Sequence, residues 1–167
     1  MVHSRLAQAP KFQSAHAILM VSGGYALQLR DDKPTISAPG TWSLFGGLIR
    51  PGETPMQTIQ REIAEELCIE PGEFLPLGFT DYFSDFEKEV IRTWFFVAEV
   101  TGLWPGHKLT EGQGAEVFAF ADLARLTMPP VMRRRLTQFH RLKSSTHAGA
   151  GSNAFPDEVA KVGAQPE

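Results

Sequence analysis

Apolar and polar positions divide the chain into short runs of strand length and two longer stretches with helical spacing. Residues 15–21 (AHAILMV) form an apolar run that predicts a buried strand. Ser22-Gly23-Gly24 predicts a hairpin turn, and residues 25–30 (YALQLR) alternate as a second strand. Asp31-Asp32-Lys33-Pro34 and Pro39-Gly40 bracket a loop leading to Trp42-Ser43-Leu44-Phe45, which runs into Gly46-Gly47. Then the period changes. Met56, Ile59, Ile63 and Leu67 recur on one side of a helix, with Thr54 as N-cap, Pro55 at the first helical position and Gln57 completing a capping box. Pro71-Gly72 breaks that helix. Residues 74–79 predict a strand weakened by Pro76, residues 82–88 a turn or second wet edge, and residues 90–98 (VIRTWFFVA) the plainest strand of all. After a loop marked by Gly102, Pro105, Gly106 and Gly112 come a strand over 116–120 and a short helix over 121–126. Pro129-Pro130 opens a last helix with Met132, Leu136 and Phe139 as its apolar stripe.

The sum is an α/β domain over residues 15–143, with a mixed sheet and helices on both faces. Residues 1–14 read as an N-terminal arm, and 144–167, small, polar and Gly/Ala-rich, as a disordered tail or tag-like extension.

A length of 167 residues suits one domain with a real core. A net charge of -3 argues against a general nucleic-acid binder, so no stable nucleic-acid binding is expected. No apolar run approaches the ~20 residues that span a bilayer, so no membrane is expected either. The first residues lack the apolar centre of a secretory signal, and a single cysteine permits no intrachain disulfide; both point to the cytoplasm. The five histidines, at 3, 16, 107, 140 and 147, have no zinc-like spacing. The run Arg133-Arg134-Arg135 reads as a solvated helix face rather than a phosphate site, and Trp42 as core filler or a contact to a ligand base.

Chemistry concentrates on the first helix. Glu62, Glu65 and Glu66 stand at i, i+3 and i+4 and so share one face. Like charges so placed repel by roughly 0.2–0.5 kcal/mol per pair. No lysine lies nearby, and the cluster makes sense if a hard divalent cation sits among the oxygens. Glu53 precedes the N-cap, near the positive end of the helix dipole. Phe45-Gly46-Gly47 and Pro51-Gly52 supply turns where backbone can approach a ligand closely.

Gly47, five residues, Glu53, seven residues, then Arg61-Glu62-Ile63-Ala64-Glu65-Glu66-Leu67-Cys68-Ile69 resembles the Nudix box, G-x5-E-x7-R-E-U-x-E-E-x-G-U with U aliphatic. Every fixed position matches except the last glycine, here Cys68. The resemblance implies a Nudix-type α/β/α sandwich with a mixed β-sheet. A second stretch, Arg92-Thr93-Trp94-Phe95-Phe96 followed by Leu109-Thr110-Glu111-Gly112-Gln113, is similar to the corresponding strand and loop of MutT-like proteins.

The resemblance further implies a pyrophosphohydrolase. It would use Mg²⁺, with Mn²⁺ as substitute, to cleave a nucleoside diphosphate linked to another moiety, such as a nucleoside triphosphate or nucleotide sugar, by water attack at phosphorus. The implied metal set is Gly46 (through its carbonyl), Glu53, Glu62, Glu65, Glu66 and Glu111. Glu62, Glu66 or Glu111 would serve as general base, with Glu87 and Glu116 as further candidates for the Glu111 role. Arg61 would orient the box carboxylates. The partner is a nucleotide-type small molecule; relatives are often homodimers, though no stretch of this chain marks an interface. Alternatives are a non-catalytic Nudix-fold nucleotide sensor, an 8-oxo-dGTP-type nucleotide-pool sanitising enzyme and, more distantly, an isomerase. The purine-reading asparagine that follows the Pro-Pro pair in MutT-like proteins is absent; Val131-Met132-Arg133 stand there instead. At Cys68, either the helix continues to Pro71-Gly72 or it ends in a left-handed residue that costs a non-glycine roughly 1 kcal/mol.

Overall fold

β1 (Phe12–Val21) is the strand around which the sheet is laid in the computed structural model, which describes residues 9–148. It runs parallel to β6 (Glu89–Glu99) on one side. On the other it pairs antiparallel with β4 (Phe45–Leu48) near its start and β2 (Gly24–Leu29) near its end. β6 pairs with β5 (Leu75–Ser84), while β2 also carries β3 (Trp42–Ser43) and β7 (Gly114–Phe118), completing a seven-stranded mixed sheet. Ser22 (φ 48°) and Gly23 (φ 84°) form the two-residue turn between β1 and β2, both at the positive φ that matches the strand twist.

Strand alternation builds two cores. Ala15, Ala17 and Leu19 of β1 and Phe96 and Ala98 of β6 pack with Ile59, Ile63 and Leu67 of α1 (Pro55–Leu67). Ile18, Phe95 and Val97 point the other way, toward Met132, Leu136 and Phe139 of α2 (Pro130–Ala148). A central strand covered on both faces needs apolar residues at nearly every position, which is why residues 15–21 show no alternation. Ile59, Ile63 and Leu67 are fully buried. At about 1.5–3 kcal/mol each they outweigh the repulsion of tenths of a kcal/mol along the acidic face. The apolar stripe therefore sets how α1 lies, and the carboxylates follow.

The start of α1 is as expected. Gln57 N donates to Thr54 Oγ1 (3.2 Å) and Thr54 N to Gln57 Oε1 (2.9 Å). Its end settles the alternative at Cys68, which is left-handed at φ 54°, ψ 34° and donates its N–H to Ala64 O at 3.1 Å. Glycine would adopt this geometry without the clash at Cβ, at the expense of some unfolded-state entropy. Cys68→Gly is expected to raise stability by about 0.5–1 kcal/mol, read as a Tm rise of roughly 2 °C in thermal melts.

The structure extends several expected elements. β1 begins at Phe12 rather than at residue 15, and α2 continues through residues 144–148. The remainder of the expected tail, and residues 1–8 of the expected arm, lie outside the described residues. β5 runs on to Ser84 because it is an edge strand that tolerates Pro76 and absorbs a bulge between Pro76 and Phe79, where Gly78 has φ 82°. The short helix expected over residues 121–126 is present as a 3-10 helix, Phe120–Arg125.

The Arg133-Arg134-Arg135 reading needs correction, since only Arg134 is exposed. Arg135 is buried, lies over the Phe95 ring (4.7 Å), and donates to Leu77 O (3.2 Å), Phe79 O (3.1 Å) and Thr80 Oγ1 (2.8 Å). These acceptors flank the β5 bulge, so the guanidinium ties α2 to the irregular edge. Arg133 likewise donates to Leu123 O and Leu126 O. No helix among the described residues is long and apolar enough to cross a membrane.

Candidate active site

The acidic face of α1 opens on one cleft of about 540 Å³, whose lining includes Gly46, Glu62, Glu65, Glu66 and Glu111. Its position follows from the glycines of β4. Gly46 has φ 139°, and a Cβ there would stand 2.1 Å from Ala15 O; at Gly47 a Cβ would meet Glu62 Oε1 at 2.5 Å. Only at bare backbone can β4 run beside β1 and beneath the helix carboxylates.

Glu66 is the deepest of the acids, 4% exposed. Its Oε2 accepts from Gly46 N (3.0 Å) and its Oε1 from Gln28 Nε2 (3.3 Å). Burial pushes its carboxyl up to about 8, with the charges of Glu62 and Glu111 adding to the rise and the Gly46 N–H opposing it. Glu62 is raised by burial and pulled back by Arg61. Glu65 is exposed.

Arg61 holds the outer acids. It donates to Glu53 Oε1 (2.7 Å) and Oε2 (3.0 Å), to Glu62 Oε1 (2.7 Å), to Glu65 Oε2 (3.1 Å) and to Leu48 O (3.3 Å). Arg50 reaches Glu65 Oε2 at 3.3 Å. The hydrogen bond from Arg61 brings Glu53 down to about 2, helped by Arg50 N–H and Thr58. The cluster thus lacks a lysine but not a cation: arginines relieve it, and Glu53 faces the guanidinium.

Glu111 is carried in by a loop that docks on the end of α1. Lys108 N donates to Leu67 O (2.9 Å), Thr110 N to Glu66 O (2.9 Å) and Thr110 Oγ1 to Glu65 O (2.5 Å). The carbonyls that a helix end leaves unpaired position the loop. Gln28 Nε2 also donates to Glu111 O at 3.1 Å, linking loop and helix. Glu87 sits at the rim of the cleft, whereas Glu116 lies exposed on β7 opposite Leu27, outside its lining. Trp42 packs edge-on against Phe118 (ring centroids 4.8 Å apart) as core filler. Cys68 is exposed at the helix end.

Among the described residues, no three His, Cys, Asp or Glu side chains are gathered closely enough to hold a metal ion as they stand. The donor chemistry nonetheless fits a hard divalent cation. Glu62, Glu66 and Glu111 offer oxygens to one cleft, and their mutual repulsion at Glu66 is what a cation would relieve.

Three residues in or against the cleft were not singled out from the sequence: Arg50 and His16 line it, and Gln28 backs Glu66 from behind. Gln28 looked like the polar side of an alternating strand but is buried against Glu66. Arg50 looked like loop. His16 was one of five scattered histidines, yet it is 8% exposed in the cleft wall, and its Nδ1 has no hydrogen-bond partner. A lone polar residue inside an apolar strand was the signal available.

A family model described as the NUDIX domain matches residues 11–139. The chain is 33% identical over 98 residues to the 8-oxo-dGTP diphosphatase of Escherichia coli (strain K12), covering 58% of this chain and 72% of that protein. Among solved structures it is similar to the MutT protein from Methanosarcina mazei Go1 (TM-score 0.66, 20% identity, 80% of this chain and 96% of that one). It is also similar to the NUDIX domain of Shewanella oneidensis NrtR complexed with ADP ribose (TM-score 0.65, 19% identity, 81% and 88%). At such identities the structures speak for the fold.

Proposed function

The chain belongs to the Nudix family and is a pyrophosphohydrolase, and on that premise we propose that it uses Mg²⁺, or Mn²⁺ in its place, to hydrolyse a nucleoside diphosphate linked to another group. The observation that carries this reading is the gathering of Glu62, Glu66 and Glu111 on one cleft, with Glu66 buried against the Gly46 N–H.

Glu62, Glu65, Glu66 and Glu111, with the Gly46 carbonyl, would hold the ion. When bound, it neutralises charge on the diphosphate oxygens and makes the attacking water more acidic. The chain's own residues do the rest. Glu62, Glu66 or Glu111 accepts the water proton at a carboxylate oxygen as general base. Arg61 fixes Glu62 and Glu65 in rotamer and leaves Glu66 to Gly46 and Gln28, so it acts as a positioning residue. Glu53 braces Arg61 rather than standing among the inner acids. The guanidinium fork suits that task, since it bonds a carboxylate at two points.

Among substrates, 8-oxo-dGTP is favoured by the E. coli relative and disfavoured by the helix wall. Buried Met132 lines the cleft, next to Val131, where MutT-like purine reading would place an amide. The test is a panel of nucleoside triphosphates (8-oxo-dGTP included), nucleotide sugars and dinucleotides with Mg²⁺, with products identified by mass. Release of a nucleoside monophosphate that stops on adding EDTA is expected. Binding without turnover across the whole panel, with either metal, would make the chain a sensor instead.

A further inference from the structure

The cleft extends from the carboxylates onto the α2 side of the sheet. There the parallel register sets Ser14 and His16 of β1 beside Thr93 and Phe95 of β6. Ser14 Oγ and Thr93 Oγ1 bond to each other at 2.9 Å, and the Tyr82 hydroxyl bonds to Thr93, so those hydroxyls have partners within the chain. His16 does not. Its ring lines the cleft at 8% exposure, and its Nδ1 is shut off from solvent with nothing to bond.

An unpaired polar atom in such a place costs about 1–3 kcal/mol, and β1 would accept an apolar residue there as it does at Ala17 and Ile18. The ring meets the cleft, and a flip of the imidazole about its χ2 bond brings the unpaired nitrogen to that face, where a ligand can supply the partner. The facing wall cannot read a polar ligand, because Pro129 and Met132 offer it only apolar surface and a thioether. Phe12 and Ile91 extend the apolar surface along the floor. A flat ring with a polar edge satisfies both features, with its faces on apolar side chains and its edge on the imidazole.

We propose that His16 is a specificity-determining residue, hydrogen-bonding the edge of a nucleobase-type heterocycle whose diphosphate lies at Glu62 and Glu66. A neutral imidazole offers one donor and one acceptor, which suits a base edge. The inference rests on the reading of the same cleft as a nucleotide pyrophosphohydrolase site.

The test measures binding rather than turnover, so that the two can fail separately. The probes are the 5′-monophosphates of adenosine, guanosine, cytidine, uridine and 8-oxo-deoxyguanosine, with ribose 5-phosphate as the base-free control, titrated calorimetrically in Mg²⁺ buffer. In the native protein at least one nucleotide is expected to bind about tenfold or more tighter than ribose 5-phosphate. In His16→Val that margin falls to about threefold or less with ribose 5-phosphate binding unchanged. His16→Gln, which keeps a donor and an acceptor, retains part of the margin with a different order of bases. Thermal melts establish that each variant is folded, and His16→Gln alone decides if His16→Val is not. Equal affinity for all probes in the native protein, or an unaltered order of bases in a folded variant, overturns the proposal. A panel without hydrolysis would instead overturn the reading of the carboxylates.

Discussion

Glu66→Gln is expected to lower kcat for phosphoanhydride hydrolysis by about 10²–10³-fold, the range seen when one preorganised electrostatic group is removed from a reacting centre. The substitution keeps shape and removes charge at the deepest acid of the cleft. It also places an amide against two donors, Gly46 N–H and the Gln28 amide, so only a carbonyl oxygen remains to meet them. The loss should appear in kcat and persist at saturating metal, because a neutral amide is a poor ligand for a hard cation. Stability should move little. Burial already holds the carboxyl up to about 8, so without a divalent ion the native side chain is mostly protonated at neutral pH and resembles the amide. Steady-state rates beside thermal melts in EDTA separate the two effects. Native turnover in a folded Glu66→Gln protein would take this carboxylate out of the chemistry.

Acid is expected to destabilise the protein through His16. Burial, helped by the positive charge of Arg30, lowers its pKa from 6.5 to about 3. Above pH 6.5 the ring is neutral whether the chain is folded or not, and its contribution is complete. Between 6.5 and 3 the unfolded chain takes up a proton that the folded chain refuses, so stability falls as pH falls, and below 3 it falls no further on this account. At about 1.4 kcal/mol per pH unit the full span is roughly 3–5 kcal/mol. Glu66 works in the opposite direction, binding its proton in the folded chain from about pH 8 down and gaining stability until the unfolded carboxyl titrates near 4.5. The measurement is therefore a difference: urea unfolding at pH 7, 6, 5 and 4 in EDTA, native against His16→Val. The native protein should lose stability relative to the variant at each step below 6.5. Parallel curves would mean that the imidazole is already charged or already solvated in the folded state.

Some of this architecture is local in origin and legible in the chain. The capping box at Thr54 and Gln57, the stripe from Met56 to Leu67 and the hairpin at Ser22-Gly23 depend on near neighbours, and they stand where the pattern put them. So do the acids of α1, because helical spacing alone puts Glu62, Glu65 and Glu66 on one face.

What a line of residues could not settle depends on partners far away in sequence. Arg135 belongs to a run that reads as solvated, and it is buried because a bulge in β5, 55–58 residues earlier, leaves acceptors for it. The bond from Arg61 to Glu53, on the far side of the N-cap, likewise depends on a loop that folds back along the helix, which the count of nearby lysines does not show.

Read by itself, the amino-acid sequence determined the family, the helix that presents the carboxylates and the periodicities that place two cores on either side of a sheet, since each follows from spacing along the chain. Only the tertiary structure decided which acid is buried, how the Glu111 loop seats on the last carbonyls of α1, and that His16 lines the cleft with an unpaired nitrogen. The physical reason is that burial and hydrogen-bond satisfaction belong to pairs of groups, and here those pairs form between strands and loops that meet only in three dimensions.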